Sequence, residues 1–226
     1  MSQIILDFSS GNTCQNNPSI VKRMIDELKA VDTGKHEIII KWQLFINEGE
    51  NIPLKYGVFH YAYEYAKELG YKTTASVFDL KSLHWLIFNY DIPFVKIANR
   101  RDLDWLIGEI PRKVPVYVSM SENDDYTAYY HSDISSFHPV SNIEALCCVS
   151  KYPATIEDYV CHDAEGHLKG FYEMYLKNAI SDHTVGMELF KKYQPKIWEK
   201  HYRLSDNIGL DAGEFAITPE ELAEIL

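Results

Sequence analysis

Asn178-Ala-Ile-Ser-Asp-His-Thr184 and Lys196-Ile-Trp-Glu-Lys-His201 each run from strand-favouring residues into a histidine, and the two histidines are 201 − 183 = 18 residues apart. That interval fits one β/α unit, so the pair reads as the ends of two neighbouring strands. In a barrel of parallel strands such ends stand side by side at the carboxyl face, where two imidazoles can share one divalent metal.

Six more apolar runs precede these two: Gln3–Phe8, Glu37–Lys41, Lys72–Phe78, Phe94–Ala98, Val114–Ser119 and Ile143–Val149. Amphipathic segments at Ser19–Ala30, Tyr56–Leu69, Leu80–Tyr90, Asp102–Ile110, Ala164–Lys177 and Met187–Tyr193 separate most of them. Eight strands alternating with helices predict an α/β fold of the (β/α)₈ TIM-barrel type, in a single domain over residues 1–226, rather than an open doubly wound sheet. Closure itself is not written in the pattern. Pro18 and Ser19 fit a helix start, Gly70 a helix stop, and Thr218-Pro-Glu-Glu-Leu222 a capped final helix. Ser121–Asn142, rich in Asp, Ser, Tyr and His, has no apolar stripe and reads as an irregular loop.

Composition narrows the partners. The chain has 226 residues, 46% of them hydrophobic, enough for one sizeable core. Its formal net charge of −11 argues against nucleic-acid and anionic-membrane surfaces and leaves a small substrate as the expectation. Cys14, Cys147, Cys148 and Cys161 show no CxxC spacing, and no secretory signal precedes them, so reduced thiols in a cytoplasmic protein are expected. No apolar stretch approaches bilayer length.

What ends each run is chemical. Lys41 and Gln43 follow Ile38-Ile39-Ile40, Ser76 precedes Val77-Phe78, and Lys96 follows Phe94-Val95. Ser119 follows Val118, Ser150 and Tyr152 follow Val149, and Ser181 and His183 follow Ile180. A lysine after three isoleucines is ordinarily a strand end reaching for solvent. Two lysines and several serines at one rim can instead hold a phosphate and a carboxylate.

These residues carry a resemblance. Ile40-Lys-Trp-Gln, Ser76-Val-Phe-Asp-Leu, Phe94-Val-Lys-Ile-Ala, Cys148-Val-Ser-Lys-Tyr-Pro, Ser181-Asp-His-Thr-Val-Gly and Glu199-Lys-His-Tyr resemble the sialic acid synthase family, in that family's order and at similar separations. The resemblance runs from about Ile4 to Leu226 and is to the barrel domain only. It implies condensation of phosphoenolpyruvate with an N-acetylmannosamine-like aldose, or with an altered acceptor, to a nonulosonic or related 2-keto sugar acid. It also implies a divalent metal, Mn²⁺ or Mg²⁺. By the same resemblance Lys41, Ser76, Lys96, Ser119, Ser150 and Ser181 surround phosphoenolpyruvate, and His183 and His201 hold the metal. Asp7, Gln43, Tyr152 and Asp211 then stand near the reacting groups, with Asp211 or Asp7 as the acid/base carboxylate.

Each position has a plainer reading. His183 could cap the turn that follows, and His201 could be half-buried against backbone. Asp211, in Gly209-Leu-Asp-Ala-Gly213, could be a turn residue, Tyr152 an aromatic lid on the core, and Tyr126, Tyr129 and Tyr130 surface residues rather than platforms for a sugar ring. His131, His138, His162 and His167 are assigned to solvent. The chain also departs from the family. Asp7 replaces a glutamate, a loop histidine is missing near Leu6–Gln15, Ser119-Met-Ser121 replaces a Ser-Thr-Gly-like end, and Ser150 replaces an asparagine. The sequence stops where the family continues into a small antifreeze-like domain, which points to altered acceptor specificity or to that domain arriving on a separate chain. A homodimer suits either version. The alternative is a noncatalytic or partner-dependent barrel kept as a binding or structural subunit.

Overall fold

The computed structural model describes residues 1–44, 50–122, 124, 142–160, 162, 164–167 and 170–226. Tyr126, Tyr129, Tyr130, His131, His138 and Cys161 lie outside the described residues. Each expected strand is present: β1 Gln3–Asp7, β2 Glu37–Leu44, β3 Lys72–Val77, β4 Val95–Ile97, β5 Val116–Met120, β6 Ile143–Cys148, β7 Ala179–Asp182 and β8 Ile197–His201. Every strand pairs in parallel with the next, and β8 returns to β1, closing the barrel.

Parallel strands covered on both faces read as nearly continuous apolar runs, and that is why all eight were visible in the sequence. Alternation along each strand then sorts the side chains into two sets. Ile4, Leu6, Ile38, Ile40, Trp42, Val77 and Trp198 face outward into the main core beneath the helices. Ile5, Ile39 and Phe94, with Tyr117 and Ile197, form a separate plug inside the barrel, where Phe94 and Tyr117 stack at 3.9 Å. Two residues further along the same strands stand Asp7, Lys41, Lys96, Ser119 and Glu199, all buried. One step of the pleat therefore carries the interior from an apolar plug to a polar chamber.

The outward face of the last two strands holds a second buried charge pair. Lys200 Nζ lies 3.3 Å from Asp182 Oδ1 with both side chains fully buried. Asp182 also accepts from Thr184 N, Thr184 Oγ1 and Trp198 Nε1, while Lys200 Nζ donates to the Thr184 carbonyl.

The helices follow their local signals. Asn17 caps Pro18–Val31 by accepting from Ser19 N at 2.9 Å, and Asp79 caps Leu80–Asn89 by accepting from Ser82 N. Gly70, at φ +91°, ends the turn after Tyr56–Glu68. Thr218 and Glu221 form a capping box on Pro219–Leu222. Three features differ from expectation. Arg101–Glu109 is a 3₁₀ rather than an α-helix. Among the described residues of the segment expected to be helical over Ala164–Lys177, the helix is confined to Glu173–Leu176. Gly170 explains part of this: a Cβ there would collide with the Tyr159 carbonyl oxygen, so the chain is pressed against its neighbour rather than coiled on itself. Single turns at Gly11–Cys14 and Ile156–Tyr159, too short to show a helical period, complete the set. Among the described residues no helix is long and apolar enough to cross a membrane.

Candidate active site

Asp7, Lys41, Gln43, Ser76, Lys96, Ser119, Ser150, Tyr152, Ser181, His183, His201 and Asp211 all line one cavity of about 380 Å³ at the carboxyl ends of the strands. The structure thus gathers every site residue expected from the sequence. It adds Glu199, Asn99, Arg100, Cys148, Phe78 and Phe215 to the walls. Glu199 was the significant omission, and the signal for it was parity: it stands two residues before His201 on β8 and shares its face.

The floor is a chain of alternating charges. Lys41 Nζ lies 2.7 Å from Asp7 Oδ2 and 3.4 Å from Glu199 Oε1, and donates to Ser76 Oγ at 3.2 Å. Lys96 Nζ donates to Ser119 Oγ at 2.6 Å and to the Ile97 carbonyl at 3.0 Å, with Glu199 Oε1 at 3.8 Å. Both lysines point into the barrel rather than to solvent, 3% and 1% exposed. Burial pulls the pKa of Lys41 down, but Asp7 and Glu199 outweigh it and the net direction is up. Burial also dominates at Lys96, and with only a distant carboxylate partner its pKa falls. Asp7 is pushed up by burial, yet Lys41, His201 and the Ser9 N–H together bring it to about 2. Gln43 Nε2 donates to the same carboxylate at 2.7 Å. Asp7 is therefore a fixed anion, poorly suited to giving up a proton.

The imidazoles face each other across the ends of β7 and β8, ring centroids 5.5 Å apart. His183 Nδ1 donates to the Val149 carbonyl at 2.7 Å, which fixes its tautomer and leaves the lone pair on Nε2. Burial, then the neighbouring His201, lowers its pKa to about 3, so the ring is neutral. His201 Nδ1 is buried with no hydrogen-bond partner among the described residues, 3.7 Å from Asp7 Oδ2 and 4.0 Å from Asp211 Oδ1. Asp211 differs from Asp7: burial pushes its pKa up, His201 only partly offsets this, and Oδ2 has no hydrogen-bond partner among the described residues. Tyr152 is half-exposed at the mouth, its ring 4.2 Å from that of His183 and 5.0 Å from that of Phe215. It covers the imidazoles rather than the core. Ser150 accepts from Asn99 Nδ2 at 2.9 Å. Burial pushes the Cys148 thiol up, which keeps it protonated. His162 and His167 are exposed.

A divalent ion fits this donor set in a limited way. Among the described residues no group of three or more His, Cys, Asp and Glu side chains is arranged to hold a metal. Two imidazoles, one with its tautomer fixed and the other with a buried nitrogen that has no hydrogen-bond partner among the described residues, are donors that could hold such an ion only as part of its shell.

Two buried lysines and paired imidazoles thus stand at the carboxyl mouth of a closed parallel barrel, the face at which barrel enzymes carry their active sites. The comparisons with known proteins are more particular. The sequence profile of the NeuB family matches residues 35–226, and the chain belongs to that family. No curated protein matches the sequence. Among solved structures, the chain is similar to an N-acetylneuraminic acid (sialic acid) synthetase from Leptospira borgpetersenii, determined with citrate, at 22% identity and a TM-score of 0.69, covering 98% of this chain and 80% of that one. It is also similar to the spore coat polysaccharide biosynthesis protein SpsE from Bacillus subtilis, at 17% identity and 0.73, covering 99% of this chain and 66% of that one. A truncated 3-deoxy-D-arabino-heptulosonate 7-phosphate synthase from Thermotoga maritima shares the fold at 11% identity and 0.56, over 100% and 83% of the chains.

Proposed function

We propose that this chain condenses phosphoenolpyruvate with an aldose to give a 2-keto sugar acid, of the nonulosonic type or close to it. The observation that carries the reading is the meeting of Lys41, Lys96, His183 and His201 on one cavity. Phosphoenolpyruvate brings a phosphate and a carboxylate. Lys41 and Lys96, with the hydroxyls of Ser76, Ser119, Ser150 and Ser181, supply the cations and donors that both need. Asp7 stays ionised and holds Lys41 and Gln43 in place. Carbon 3 of phosphoenolpyruvate attacks the aldehyde carbon to form the new carbon–carbon bond, water adds at carbon 2, and phosphate leaves with its bridging oxygen. Asp211, whose pKa is raised and which lies beside His201, suits proton donation at the nascent hydroxyl. Tyr152 and Phe215 shield the reacting end from bulk water. A divalent cation, manganese or magnesium, would sit on His183 and His201 and supply Lewis-acid polarisation of the aldehyde when bound.

The test is phosphate release from phosphoenolpyruvate across a panel of aldoses, free and phosphorylated, with and without manganese. Acceptor-dependent release that is lost in His183→Ala supports the reading. Release undiminished in that variant removes the metal role. If no aldose releases phosphate and phosphoenolpyruvate does not raise the melting temperature, the chain is a noncatalytic barrel serving as a binding or structural subunit.

A further inference from the structure

Glu199 already engages groups assigned above to phosphoenolpyruvate. Its Oε1 lies 3.4 Å from Lys41 Nζ and 3.8 Å from Lys96 Nζ, and accepts a hydrogen bond from Ser181 Oγ at 3.0 Å. Those are three of the groups assigned above to phosphoenolpyruvate. Its other oxygen, Oε2, is buried and makes no hydrogen bond to the described residues. Asp7 also compensates Lys41, at 2.7 Å. Two ammonium groups thus face two carboxylates, and the floor offers an incoming anion no net formal charge. Such a ligand gains only the difference between its own contacts and those it takes over from Glu199.

We infer that Glu199 is a built-in counter-anion: by competing for both lysines it sets, and lowers, the affinity of the site for phosphoenolpyruvate and for the phosphate released from it. This rests on the phosphoenolpyruvate reading and adds to it a residue that loosens binding. Two lysines without such a competitor would clamp phosphate and slow its departure. With Glu199 between them, their ammonium groups stay converged while the site is empty and can be surrendered again at the end of a turnover.

Isothermal titration of wild type and Glu199→Gln with inorganic phosphate, and separately with phosphoenolpyruvate, tests the inference. Glutamine keeps an oxygen for the Ser181 hydroxyl and removes the charge. The variant should bind both anions at least about 10-fold more tightly, as expected when a charge-assisted competitor is removed, and phosphate should become a stronger product inhibitor. Unchanged or weaker binding overturns the inference, since a purely structural glutamate would not raise affinity when replaced. Should Glu199→Gln fail to fold, Glu199→Asp withdraws the carboxylate by one methylene and should tighten phosphate binding several-fold; no tightening again overturns it. If wild type binds phosphate but neither binds nor turns over phosphoenolpyruvate, the functional reading fails while the phosphate titration still decides the role of Glu199.

Discussion

Replacing Lys96 by methionine should separate binding from stability. The Lys96 side chain is 1% exposed, and its ammonium group donates to Ser119 Oγ and the Ile97 carbonyl but, among the described residues, comes no closer than 3.8 Å to a carboxylate. Methionine matches its length and volume. The substitution forfeits two hydrogen bonds, worth about 1 kcal/mol each, and relieves the burial of an ammonium group, which costs several kcal/mol. Glu199 keeps its closer partner, Lys41, so no buried anion is stranded. The balance places the variant within about 2 kcal/mol of wild type on the stabilising side, a rise in melting temperature of up to roughly 4–8 °C for a chain of this size. Phosphoenolpyruvate binding, by contrast, loses a charge-assisted contact of about 1.5–3 kcal/mol, a roughly 10- to 150-fold rise in Kd. Urea unfolding and ligand titration on the same preparation read both quantities. A variant that loses more than about 3 kcal/mol of stability yet binds phosphoenolpyruvate normally would refute the reasoning, because Lys96 would then be a structural lysine.

Two further outcomes concern the buried carboxylates. Asp7 has its pKa lowered from 3.8 to about 2, so its contribution, roughly 2 kcal/mol, is fully present above pH 3.8 and is lost as pH falls through 2; the stability gap between wild type and Asp7→Asn, followed by urea unfolding from pH 5 to pH 2, should shrink by that amount, and a constant gap would contradict it. Asp182→Ala should cost about 3–5 kcal/mol in the same assay, because it leaves the fully buried Lys200 without a counter-charge; a loss under 1 kcal/mol would show that Lys200 finds another partner.

The barrel was legible because its strands are covered on both faces and spell their burial as unbroken apolar runs, from Ile38-Ile39-Ile40 to Ile197-Trp198. The site was legible for a related reason. Once the strand ends were marked, Lys41, Lys96, Ser181 and His201 could be placed at one rim. Glu199 escaped notice because, between Trp198 and Lys200, it looks like one charge in an ordinary polar ending, and only the parity shared with His201 reveals which way it faces. The Ala164–Lys177 segment differs for the opposite reason: its polar and apolar residues carry a helical rhythm, and part of what overrules it is the approach of Gly170 to Tyr159, a tertiary event with no local trace. The differing proton affinities of Asp7 and Asp211 were also beyond the sequence, since they depend on Lys41 lying 2.7 Å from one while burial dominates at the other.

The adjacent residues Glu199 and Lys200 send opposite charges to opposite sides of the same strand, one to the chamber and one to the sheath of helices. A slip of β8 by a single residue would turn each into the other's compartment. Glutamate would then meet Asp182 in a dry seam, and lysine would join two lysines already crowded together. Both errors are electrostatically prohibitive, so this dipeptide works as a keyed joint: it lets the last strand dock against its neighbours in one alignment, and the alignment that seats it also delivers His201 to the mouth.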